Sequence, residues 1–184
     1  MTSDFQFLTL ALLVPGILWA SWIDYSQRRV PNWLNLTLIL LGFAAQGWCN
    51  GWSGMAAGFW GMAAGFGLLI VPWLMHGMGA GDVKLMAAIG VWLGPWWTLW
   101  SFVVGALIGA VTAIVMISST GRLRMAYANF NVILTKCANP AMMFTEFGSA
   151  KSFGKTSQLL PYGVPLTAGT LLILAGKMFG WWGV

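Results

Sequence analysis

Long apolar runs separated by short polar punctuation organise this chain of 184 residues. An α-helix needs roughly 20 apolar residues to cross a bilayer, and the pattern predicts about six such helices. Phe5 to Ile23 is the first run, closed by Asp24-Tyr25-Ser26-Gln27-Arg28-Arg29. Val30-Pro31-Asn32 then turns the chain, because the residue before a proline disfavours helix. Trp33 to Trp48 is the second run, and Asn50-Gly51-Trp52-Ser53-Gly54 reads as a tight turn. Met55 to Met75, rich in Gly and Ala, is the third and is suited to close helix contact. The glycine-dense stretch His76 to Asp82 leads into a short fourth run, Val83 to Leu93, which stops at Gly94-Pro95. Trp96 to Ile117 is the fifth, and Leu159 to Trp182 the sixth. Between these last two lies the longest polar region, Ser118 to Gln158, in which Met125 to Cys137 could lie on the membrane surface. The fold class is therefore all-α, a polytopic membrane protein forming one domain over residues 1–184, with no repeat and no separate soluble domain.

Composition supports that class. Hydrophobic residues make up 59% of the chain and charged residues 7%, against about 25% charged in a soluble domain. The 13 Trp fit interfacial anchoring and the 24 Gly fit close packing. The first run lacks a basic leading segment, so it reads as a retained span rather than a cleaved signal. Cys49 and Cys137 show neither metal-ligand spacing nor a CxxC pair. His76, the single histidine, has no partners for a metal site, so no metal or organic cofactor is expected.

The net charge of +5 fits the bias of basic residues toward cytoplasmic loops better than a nucleic-acid partner. Arg28, Arg29, Lys84, Arg122, Arg124, Lys136, Lys151 and Lys155 fall on one side of the predicted topology, and Lys177 near the other. Those eight place their connections in the cytoplasm and the N-terminus outside. Membrane lipid headgroups are the partner this basic face suits best.

Topology also brings two acidic residues to one face. Asp24 ends the first span and Asp82 begins the fourth from the same cytoplasmic side, 58 positions later, among only four acidic residues in the chain. A carboxylate beside hydrocarbon is costly unless paired or hydrated, which marks both as functional candidates. Two facing carboxylates cannot easily both ionise, so they share a proton. One can then take a proton from water while its protonated partner polarises a carbonyl. The same pair could serve as a proton or cation relay in a small transporter, or as helix caps in a non-catalytic assembly subunit of a secretion complex. Gly79 and Gly81 before Asp82 permit positive φ or close approach of another chain. A turn with Asp82 as N-cap is an equal reading of those residues.

Three motifs resemble a known family. Gly79-Ala80-Gly81-Asp82-Val83-Lys84-Leu85 looks like the GxGD motif of the type IV prepilin peptidases, which are intramembrane aspartic proteases. Asp24 through Val30-Pro31-Asn32 resembles that family's Asp, basic and aliphatic-Pro-Asn signature. Pro161-Tyr162-Gly163-Val164-Pro165 is similar to its Pro-Tyr-Gly segment, with Val164 a small departure. The resemblance implies that Asp24 and Asp82 are the catalytic pair. It implies cleavage of prepilin leader peptides at the cytoplasmic face of a bacterial inner membrane, by an enzyme without cofactors. The chain starts directly at its first span and lacks the paired CxxC motifs of longer members. That likeness is to the short CpaA/TadV type serving Flp (tight-adherence) pili, without methyltransferase activity.

Around the pair, Gly79, Gly81, Lys84, Arg28, Pro31 and Asn32 are the candidates for loop or substrate support. For each a plainer role competes. Lys84 suits a lysine snorkelling to the interface, Arg28 suits topological anchoring, and Pro31 with Asn32 suits fixing the turn. Ser118 to Gln158 could steer substrate or contact pilus assembly machinery, with plain charge bias an equal reading.

Overall fold

The computed structural model describes residues 3–27, 29–74, 78–120 and 162–180. The described residues are nearly all helical, without strands. We number four helices: α1 (Ser3–Gln27), α2 (Asn32–Leu74), α3 (Ala80–Thr120) and α4 (Gly163–Met178). Two of the four are interrupted by a single glycine. Gly51 in α2 has φ 61° and ψ −147°, and Gly94 in α3 has φ 74° and ψ 171°. Both lie in a region that only glycine occupies readily.

The break in α2 is a hairpin. A Cβ on Gly58 would lie 3.4 Å from Phe43 Cε1, whereas fifteen residues of straight helix would separate them by about 22 Å. Residues 32–50 and 52–74 therefore lie side by side. The expected turn at Asn50 to Gly54 is thus compressed to one residue, with helix running up to it on both sides. The Gly94-Pro95 stop is likewise a break at Gly94 alone, and Pro95 sits in the first turn of the next segment, where a missing N–H costs nothing.

Length and composition make α1, α2 and residues 80–115 of α3 apolar enough to cross a membrane. The sixth predicted run is described as the shorter helix α4. A π-helical turn, Thr9–Leu13, interrupts α1 just before Pro15. Its cause is local: the proline ring removes one ladder hydrogen bond and crowds the preceding turn.

The segment of α3 before Gly94 is the centre of the molecule. Every residue from 85 to 94 is buried, including the full side chains of Leu85, Met86, Ile89 and Trp92. A helix apolar all round belongs inside a bundle, which explains why this short run reads as one continuous hydrophobic stretch. Helix α2 packs against it through glycine. A Cβ on Gly61 would fall on the Gly90 carbonyl, and one on Gly90 would fall on the Gly61 carbonyl. The backbones there are nearly in contact, as small residues allow between membrane helices. The second half of α3 packs antiparallel to α4, with Ser101 Oγ 2.7 Å from Thr170 Oγ1 and Lys177 Nζ 4.6 Å from the Trp97 ring centroid.

Buried polar groups tie the layers together. Trp92 Nε1 donates to the Leu38 carbonyl at 2.9 Å, and Gln46 Nε2 donates to the Val91 carbonyl at 3.0 Å. Both bonds fix residues 32–50 against the central segment at the depth where water is scarce and a partnerless donor is expensive.

Candidate active site at one end of the bundle

The C-terminal end of α1 and the N-terminal ends of α2, α3 and α4 converge at one end of the bundle. Antiparallel packing dictates this. Thr167 bonds the Ile17 carbonyl and Gly163 bonds Asp24, so α4 starts where α1 finishes. Lys84 bonds Asn32 and Asn35 bonds Gly81, so α2 and α3 start at that same end.

Asp24 sits in the last turn of α1 and is 4% exposed. Its Oδ2 accepts the backbone N–H of Gly163 at 2.9 Å. That N–H is the first donor of α4, one of the orphan donors every helix start must satisfy. Any side chain at 163 would collide with the bond, since a Cβ there would lie 2.7 Å from Oδ2. Glycine at this position is required by close approach rather than by φ.

Asp82 is the third residue of α3 and is 6% exposed. Its N–H donates to the Gly79 carbonyl at 3.2 Å, and its carboxylate accepts the Gly79 backbone N–H. The capping arrangement foreseen as the plain alternative is therefore present in part: the aspartate holds its own loop. Asp24 and Asp82 also lie within electrostatic reach of one another. Tyr162, immediately before Gly163, also lies within reach of Asp82. A pair of buried carboxylates with Coulombic coupling across two helices is an arrangement able to carry one proton between them.

Of the six support candidates from the sequence, all but Arg28 have a place. Gly79 and Gly81 do not adopt positive φ. The freedom of glycine is used for proximity, since a Cβ on Gly81 would come within 3.2 Å of Val30 N. That contact holds the Val-Pro-Asn connection against the loop bearing Asp82. Pro31 accepts the Asn35 N–H at 3.3 Å, so it opens α2. Lys84 is exposed and donates to Asn32 Oδ1 at 2.8 Å, which joins the α1–α2 connection to α3. Arg28 lies outside the described residues, as do His76, Cys137, Pro161 and the region Ser118 to Gln158 apart from its helical start at 118–120.

Two residues at the site were not among the sequence candidates. Gly163 was quoted only as part of a motif, with no role attached. Asn35 falls on the buried stripe Leu34, Asn35, Leu38, Gly42, Ala45; a polar residue on the buried face of an amphipathic helix is the signal that could have flagged it. Among the described residues no three His, Cys, Asp or Glu side chains gather into a metal-binding group.

The model of the type IV leader peptidase family matches residues 11–114, a stretch that contains Asp24, Asp82, all of α2 and α3 as far as residue 114. Proteins named prepilin leader peptidase/N-methyltransferase are similar to this chain over part of its length. The Pseudomonas aeruginosa protein is 33% identical over 115 residues, covering 59% of this chain and 39% of the relative. The Stutzerimonas stutzeri protein is 35% identical over 112 residues, 55% of this chain and 39% of the relative. The Burkholderia pseudomallei protein is 33% identical over 109 residues, 54% and 35% respectively. The matched region is thus well under half the length of those relatives. No solved structure matches the chain. With the family model covering more than half of its residues, including both buried aspartates, this chain belongs to the type IV leader peptidase family.

Proposed function

We propose that the protein is a membrane-embedded aspartic endopeptidase that removes leader peptides from prepilins, with Asp24 and Asp82 as its catalytic pair. The observation that carries this reading is the burial of two electrostatically coupled carboxylates, from different helices, at one end of an apolar bundle. Each is held by a backbone N–H, Asp24 by Gly163 and Asp82 by Gly79, so among the described residues it is main chain that sets their positions.

In this reading the ionised carboxylate takes a proton from a water molecule as its oxygen attacks the scissile carbonyl. The neutral carboxyl donates its proton to the carbonyl oxygen. The tetrahedral gem-diol then collapses: the proton first taken from water passes to the departing amine, the C–N bond breaks, and one hydroxyl of the diol returns its proton to the carboxylate that had given it, so the pair again holds one proton. Atoms and charge balance with water as the sole co-reactant. Gly79, Gly81 and the Val30-Pro31-Asn32 connection shape the space beside Asp82 into which an extended peptide would be laid.

The positive-inside distribution places this end of the bundle at the cytoplasmic face of a bacterial inner membrane, with the N-terminus outside. The substrate's leader would approach from the cytoplasm while its apolar segment stays in the bilayer. Flp-type prepilins are the substrate class the motif resemblance favours. The buried polar side chains deeper in the bundle, Gln46, Thr98, Ser101 and Thr170, are spent on bonds to main chain or to each other, which suits a peptidase better than a relay across the membrane.

The test is co-expression with a prepilin encoded near this chain's gene, followed by separation of precursor from processed product. The wild type is expected to give the shorter product, and Asp24→Asn and Asp82→Asn none. Normal processing by either variant would exclude the paired-carboxylate mechanism.

A further inference from the structure

Asn35 is the one side chain from outside the Gly79–Asp82 loop that hydrogen-bonds it among the described residues. It is 1% exposed, and its Nδ2 donates to the Gly81 carbonyl at 3.2 Å. That carbonyl belongs to the peptide whose nitrogen is Asp82 N, which in turn donates to Gly79. A rotation of this peptide would move the Asp82 side chain away from Asp24. Within the loop, the bond from Asp82 N–H to the Gly79 carbonyl constrains the same planar peptide, and Val30 packs against Gly81; the Asn35 bond is what ties this carbonyl to another helix.

The other half of the amide is unspent. Asn35 Oδ1 is buried and accepts no hydrogen bond from the described residues. Exchanging the two amide atoms would set Oδ1 against the Gly81 carbonyl, so the observed orientation is the favourable one. A buried amide using half its capacity is costly, and a leucine of similar volume would match its neighbours Leu34 and Leu38. Packing alone therefore does not account for an asparagine here.

We propose that Asn35 is a positioning residue for the proteolytic reaction, clamping the Gly81 carbonyl and thereby holding Asp82 opposite Asp24. This rests on the peptidase reading, and it predicts an effect on turnover more than on substrate affinity. Among the described residues, the titratable groups at this end are Asp24 and Tyr25 on α1, Arg29 in the α1–α2 connection, Asp82 and Lys84 on α3, and Tyr162 before α4.

The experiment uses the full-length protein in detergent with a prepilin substrate, alongside Asp82→Asn as the inactive reference. Asn35→Leu is expected to lower kcat at least about tenfold, the scale of a displaced catalytic group, with KM changed less than about twofold. Asn35→Asp supplies a donor for the Gly81 carbonyl only while the new carboxyl is protonated. Its activity relative to wild type should therefore rise as pH falls, whereas that of Asn35→Leu should not. Hydrogen exchange of the backbone amides of residues 79–85 reads the clamp without catalysis and should be faster in Asn35→Leu. Wild-type kcat in Asn35→Leu, a constant activity ratio for Asn35→Asp across pH, or unchanged exchange would each overturn the proposal. Absence of product from the wild type would instead overturn the peptidase reading, with the exchange measurement still deciding whether the clamp exists.

Discussion

The aspartates differ in how each is held, and the difference predicts where single substitutions act. The bond from Gly163 to Asp24 joins residues 139 positions apart at 2.9 Å. Gly163→Ala would bring a Cβ to 2.7 Å from Asp24 Oδ2 and push Asp24 off its donor, at the first residue of the helix, where the interior preference for alanine over glycine does not apply. The expected outcome is a melting temperature below wild type, from the lost buried bond, together with leader cleavage reduced by tenfold or more, on the order of the loss from a misplaced catalytic group. Parallel measurement of thermal unfolding and cleavage separates the two effects. Lys84 gives the opposite expectation for stability. Its bond to Asn32 is exposed, so Lys84→Met should change stability by no more than about 1 kcal/mol, as read by thermal unfolding in detergent.

Among the elements, the glycines fall into two physically distinct groups. Gly51 and Gly94 have positive φ, and a Cβ at either meets nothing within 4 Å. Alanine at Gly51 would meet only backbone strain, about 1–3 kcal/mol, so Gly51→Ala should fold and melt earlier. Gly61 and Gly90 have ordinary helical backbone, and there a Cβ strikes a neighbouring carbonyl. Gly61→Val should therefore force the α2 and α3 segments apart and destabilise by more than Gly51→Ala, since overpacking against backbone has no flexible side chain to absorb it. Comparing folded yield and melting temperature of the two variants checks the ordering. The glycine content was plain in the sequence, yet the sequence did not distinguish these roles. Positive φ at Gly51 was foreshadowed by its place between two apolar runs. Contact at Gly61 depends on which helix covers the face that Gly54, Gly58, Gly61 and Gly65 mark by their 4-3-4 spacing, and that spacing does not name the neighbour.

For the molecule as a whole, the site's end and the Gly51 end are opposite ends of the same bundle. Residues 32–50 rise about 27 Å between them, close to the roughly 30 Å of a hydrocarbon core. Ser26 and Ser53 are both exposed and mark the two ends. In a background with both native cysteines replaced, Cys49→Ser and Cys137→Ser, Ser26→Cys should react with a membrane-impermeant thiol reagent only from the cytoplasmic side, and Ser53→Cys only from the other. Labelling of both from one side would refute the proposed topology. Exposed tryptophans such as Trp48 and Trp52, at 90% and 85% exposure, cluster at the Gly51 end, where an interfacial belt would be placed.

The sequence by itself determined the membrane class, the helical spans to within a few residues and the candidacy of both aspartates. These follow from local quantities: hydropathy over a window, the scarcity of charge, and glycine or proline at fixed positions. It also carried the motifs on which the family likeness rests. Tertiary structure alone decided that Asp24 and Asp82 come within electrostatic reach of one another, that the Gly163 N–H bonds Asp24, and that Asn35 reaches the loop before Asp82. Each of those relations joins residues at least 46 positions apart. Helix periodicity specifies which face is apolar but not which neighbour will cover it, so contacts of that range exist only once the helices have packed.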